Sequence, residues 1–81
     1  MGMEAVTIEK MIREGIAGAD VRIEDLRGDG EHYAAVITAE AFRGLSRVAQ
    51  HRMVQEALQG RLGTELHALQ IHTRIPEGTK Q

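Results

Sequence analysis

Three features of this 81-residue sequence predict an α+β domain. Two segments repeat apolar residues at helical spacing, three have strand-like alternation or composition, and turn residues separate them in the order α-β-β-α-(α)-β. The first two strands are close enough in sequence to form an antiparallel hairpin, whereas a helical crossover precedes the third and permits parallel pairing. The expected architecture is therefore αββααβ: a three-stranded mixed sheet with helices packed on one face.

The first helix is expected over residues 7–16, where Ile8, Met11, Ile12 and Ile16 recur on one face and Glu9, Lys10, Arg13 and Glu14 fill the other. Thr7 reads as its N-cap and Gly18 as the residue that closes its C-terminus. Over residues 20–26, Val21 and Ile23 alternate with Arg22 and Glu24, as in a half-buried strand. Gly28-Asp29-Gly30-Glu31 has turn chemistry, and residues 32–38 (His-Tyr-Ala-Ala-Val-Ile-Thr) form the return strand. Residues 39–45 connect to a second helix over 47–59, capped by Ser46. Its apolar stripe is Val54, Ala57, Leu58 and Leu62, with Val48 upstream. Gly60-Arg61-Leu62-Gly63 interrupts that helix, and Thr64 begins at most one further helical turn. The last strand covers residues 66–74, with His67, Leu69, Ile71 and Thr73 on one face and Gln70, His72 and Arg74 on the other. Pro76 ends it and residues 77–81 form a polar tail, so residues 1–81 read as a single domain with a core over about 5–76.

Composition removes several function classes. With no cysteine, the chain offers no disulfide, thiolate ligand or thiol nucleophile. Tyr33 and Phe42 are its only aromatic residues, too few for a single-strand stacking platform. No apolar run is long enough to span a bilayer, and no basic-then-apolar signal segment opens the sequence, so the expected setting is the cytoplasm, without a membrane partner. Ser46 is the only serine and lies in no Gly-x-Ser-x-Gly elbow. Gly28-Asp29-Gly30 lacks the Lys-Ser/Thr ending of a phosphate loop, and no carboxylate pair has the spacing for acid–base work. The chain is therefore expected to be no enzyme.

The net charge of −2 argues against strong nonspecific nucleic-acid binding, but the charge is uneven. Residues 1–40 hold four Lys/Arg against nine Asp/Glu, while residues 41–81 hold six against three, together with three of the four histidines. Such asymmetry produces ordinary solvated faces; it also produces a basic surface for an acidic partner. Gly60-x-x-Gly63 has the form of the loop with which KH modules clamp a nucleic-acid backbone, and glycines that end a helix have the same form. Arg43, Arg47, Arg52 and Arg61 make the neighbourhood basic, suited to phosphates or to an acidic protein surface.

The histidines carry no His-x3-His or His-Glu-x-x-His spacing, so a self-contained zinc site is weakly supported. Each also has an ordinary reading. His51 edges the core beside Val54 and Leu58, His72 is exposed, His32 starts a strand, and His67 is half-buried in register with Leu69 and Ile71. One arrangement changes the weighting. If strands two and three run parallel, His32 and His67 open neighbouring strands at the same edge of the molecule.

Phe42-Arg43-Gly44-Leu45-Ser46-Arg47-Val48, followed by His51-Arg52 and Val54, resembles the central motif of BolA-like proteins. His67-Ala68-Leu69, then Thr73 and Pro76, resembles the family's C-terminal motif, and Gly28-Asp29-Gly30-Glu31-His32-Tyr33 is similar to the hairpin of its IbaG-like branch. The resemblance covers roughly residues 5–77. It implies an αββααβ fold like a class II KH domain. It also implies pairing with a monothiol glutaredoxin through a shared [2Fe-2S] cluster, to which the glutaredoxin brings its cysteine and a bound glutathione thiolate. By the same resemblance His67 is a ligand and His32 fits the second ligand, which comes from the hairpin region. Where family members commonly have Arg-His-Arg this chain has Gln50-His51-Arg52, and where they have Val-Tyr it has Val54-Gln55. The expected function is a non-enzymatic iron–sulfur trafficking adaptor, monomeric or weakly homodimeric alone. The alternative is a KH-like DNA-binding regulator of stress response or cell morphology, with the four arginines and the Gly60–Gly63 loop as its surface.

Overall fold

A computed structural model describes residues 4–28, 32–59 and 68–76. Helix α1 (Ala5–Gly15) is followed by strands β1 (Asp20–Asp25) and β2 (His32–Thr38), a 3-10 turn (Glu40–Phe42), helix α2 (Arg47–Ala57) and strand β3 (Ala68–Arg74). The sheet order is β1-β2-β3, with β1 antiparallel to β2 and β3 parallel to β2. This is the mixed α+β sheet that the sequence predicts. The expected third helical turn and the Gly60–Gly63 loop lie outside the described residues.

Alternation fixes which side of the sheet is covered. Val21, Tyr33, Ala35 and Ile37 are buried, and register places Leu69, Ile71 and Thr73 in the same rows. Ile8, Ile12 and Ile16 from the first helical segment, together with Phe42, Val54 and Leu58, complete the core. The opposite face carries Asp20, Arg22 and Glu24 on β1, His32 to Thr38 at alternate positions on β2, and Gln70, His72 and Arg74 on β3. Both aromatic residues, Tyr33 and Phe42, are core residues.

Several local expectations need correction. Helix α1 starts at Ala5, not after Thr7; Glu4 is the N-cap, with extended backbone and no side-chain cap bond, and its carbonyl accepts from Thr7 and Ile8 N–H at 3.0 and 3.1 Å. Ala5 packs against the core, so burial extends the helix two residues beyond the polar cap signal. The C-cap is Ile16, and Gly18 adopts a left-handed φ of 75° in the turn beyond it. Strand β1 stops at Asp25, whose Oδ1 accepts from Gly28 N–H at 2.8 Å and turns the chain. Val48 is 68% exposed because it lies on a different helical face from Val54 and Leu58. The Ser46 cap is observed: its side chain accepts from Ala49 N–H at 3.2 Å.

Gly15 lets the two helices approach closely. A Cβ built there would stand 2.5 Å from Ala57 Cβ and 2.9 Å from Ala57 Cα. Gly15→Ala is therefore expected to lower stability even though alanine favours helix by about 1 kcal/mol, because overpacking costs about 1–3 kcal/mol. A thermal melt checks the sign. Adding Ala57→Gly removes the clashing methyl and should restore part of the loss; no recovery would locate the effect elsewhere.

Candidate functional site

The site is set by the pairing of β2 with β3. His32, the first residue of β2, stands opposite Ala68, the first residue of β3. Neighbouring strands lie about 4.8 Å apart, and His67 is one peptide unit before Ala68. His67 itself lies outside the described residues. His32 is half-buried, and its backbone carbonyl accepts from Leu26 N–H at 2.7 Å, which closes the hairpin next to the site. The parallel register thus brings the hairpin histidine to the start of the strand that His67 precedes.

At the other end of β3, the Phe42-to-Val48 segment is held against the sheet. Gly44 has φ 83°, the left-handed conformation that glycine adopts without a Cβ penalty, and Leu45 N–H donates to Phe42 O at 3.0 Å across that turn. Gln50 Nε2 donates to Leu45 O at 2.9 Å and to Phe42 O at 3.3 Å, while its Oε1 accepts from Thr73 Oγ1. This departure from the family's arginine has a physical role: an amide both donates and accepts, whereas a guanidinium only donates. Ala39 N–H donates to Arg74 O at 3.0 Å and ties the end of β3 to the chain after β2.

Of the four arginines read as one basic surface, three are described, and they are placed differently. Arg43 forms an ion pair with Glu40 through Nε and Nη2, and its Nη2 also donates to Pro76 O at 3.1 Å. The hydrogen bond with Arg43 lowers the Glu40 carboxyl below its ordinary pKa, and the same bond raises that of the Arg43 guanidinium. Arg43 is a clasp between the 3-10 turn and the end of β3. Arg47 and Arg52 are both exposed, but five residues separate them on α2, which turns them about 140° apart. Arg61, Gly60 and Gly63 lie outside the described residues. Sequence reasoning took His51 and His72 separately; the fold brings both to one concavity with Arg47 and Arg74. The i,i+4 spacing of Arg47 and His51 and the i,i+2 spacing of His72 and Arg74 were the available signals.

Comparison with known proteins follows the same lines. The model of the family described as BolA-like protein matches residues 5–78. An uncharacterised protein of Rickettsia prowazekii is 37% identical over 73 residues, spanning 90% of this chain and 95% of the relative. The DNA-binding transcriptional regulator BolA of Vibrio cholerae is 43% identical over 55 residues, spanning 68% of this chain and 52% of the relative. Among solved structures, a bolA protein homologue from Coxiella burnetii superposes with a TM-score of 0.77 at 31% identity, covering 91% of this chain and 92% of the other.

Proposed function

This chain belongs to the BolA-like protein family, and from that membership we propose that it is a non-enzymatic adaptor that shares a [2Fe-2S] cluster with a monothiol glutaredoxin and passes it on. The observation that carries this reading is the His32–Ala68 register, which sets the hairpin histidine beside the residue that follows His67. Members of the family are named as regulators or simply as BolA-like proteins, not as enzymes.

The donor chemistry supports sharing. The chain has no cysteine, and the described residues contain no group of three or more His, Cys, Asp or Glu that could hold a metal ion. His67, with His32 as a second imidazole, can complete a site only if a partner brings thiolates, here the glutaredoxin cysteine and its bound glutathione. Replacing thiolate by neutral imidazole reduces the negative charge on such a cluster and raises its potential, as in Rieske centres. Imidazole ligation is also lost when the ring is protonated near neutral pH, which suits a cargo that must be released. No described helix is long and apolar enough to cross a membrane, and we place the exchange in the cytoplasm.

The experiment is reconstitution of the full chain with a monothiol glutaredoxin, iron, sulfide and glutathione, followed by visible circular dichroism and size-exclusion chromatography. A heterodimer with a spectrum distinct from that of the glutaredoxin alone is expected. An unchanged glutaredoxin spectrum with no co-elution would refute the reading.

A second reading has its own support: the Vibrio relative is named a DNA-binding regulator. On this reading Arg47 and Arg61 contact backbone phosphates beside the Gly60–Gly63 loop. Affinity for duplex DNA should fall steeply with salt, and Arg47→Ala with Arg61→Ala should reduce the logarithmic salt slope by about 2. An unchanged slope would remove these arginines from any nucleic-acid surface.

A further inference from the structure

We propose that the concavity between the first turns of α2 and the second half of β3 binds a doubly charged oxyanion of the phosphate type. It differs from the proposed cluster edge in place, chemistry and residues. Its volume is about 360 Å³, and Arg47, His51, Ile71, His72, Thr73 and Arg74 line it. Arg47 and His51 are one helical turn apart on α2, while His72 and Arg74 share one face of the edge strand β3. The lining residues thus include two arginines and two histidines, from two elements, and no acidic residue.

The sign of the ligand follows from the guanidiniums. Two imidazoles alone would suit a transition metal. Arginine keeps its proton in proteins and has no acceptor, so Arg47 and Arg74 oppose a cation in the same hollow. An oxyanion instead accepts from planar guanidinium forks and from imidazole N–H groups. Neither of the ion pairs found among the described residues involves Arg47 or Arg74; they join Arg13 with Glu9 and Arg43 with Glu40.

The charged surroundings point the same way. A neutral imidazole donates one N–H, and an imidazolium donates two and adds a positive charge. On α2 the other charged groups near His51 are Arg47, Arg52 and Glu56. Across the open face, His72 is in register with Val36 and then Arg22, while Arg74 is in register with Thr38 and then Asp20. Asp20, two strands away, is the acidic group in the adjoining hollow, which it lines together with Arg22 and Arg74. The cationic groups nearest the two histidines thus outnumber the acidic ones, a field that favours anions.

The test is an NMR titration of the full chain with sulfate, whose charge stays fixed between about pH 6 and about pH 8, at constant ionic strength. The expected result is saturable shifts of the His51 and His72 ring resonances with one dissociation constant. Arg47→Lys, which keeps the charge and removes the fork, and His72→Gln, on an exposed strand position, should each weaken binding severalfold with the remaining spectrum intact. Inorganic phosphate should displace sulfate, which identifies a free phosphate or small phosphate ester as the source. Displacement by duplex DNA but not by inorganic phosphate would overturn the small-anion site, as would non-saturating shifts.

Discussion

On the proposed function, His67→Ala is expected to remove the shared cluster from a heterodimer with a monothiol glutaredoxin. The loss should exceed the roughly 10–100-fold weakening that follows removal of a group that merely orients a metal ligand. It is read as disappearance of the heterodimer's visible circular dichroism, with cluster decay followed in the same cuvette. His32→Ala, at the position proposed for the second ligand, should shorten the cluster lifetime less, while His72→Ala should leave it unchanged. His72 pairs across the sheet with Val36, four residues along β2 from His32, or about 13 Å at the usual strand rise. Equal lifetimes for wild type and His67→Ala would place the ligand elsewhere.

Phe42→Ala carries the largest expected cost in stability, about 3–5 kcal/mol. Phe42 is fully buried and heads the fully buried side chains by volume. It ends the 3-10 turn, and its carbonyl accepts from Leu45 N–H and Gln50 Nε2, so the ring anchors the segment that presents Arg47. A domain of this size has only about 5–15 kcal/mol of total stability, so the variant should be close to unfolding. Urea unfolding followed by far-ultraviolet circular dichroism measures the loss through the midpoint at unchanged slope. A change below about 1 kcal/mol would mean that the ring is not part of the core.

Local signals were legible in the sequence. Strand β2 is bounded as expected at residues 32 and 38, and α2 begins where the Ser46 cap predicts. Thr7 misled because a polar cap signal is worth about 1 kcal/mol and burial of Ala5 and Ile8 outweighs it. Arg43 looked like a free cation because its partners, Glu40 and Pro76, are identified by the chain path and not by spacing alone. Gln50 looked like a departure from a motif, and its bond to Thr73 links positions 23 residues apart. The meeting of His32 with Ala68, and of His51 with His72, depends on parallel strand pairing and on helix packing. Sequence made the first of these an alternative worth weighing; it left the second unseen.

The central claim is that an imidazole of this chain completes a cluster whose thiolates come from elsewhere. Pulsed EPR on the reduced heterodimer tests it most directly, with only this chain labelled with 15N at histidine. A strong 15N hyperfine coupling from this chain to the cluster is expected. A cluster-bearing heterodimer with no nitrogen coupling from the labelled chain would contradict it.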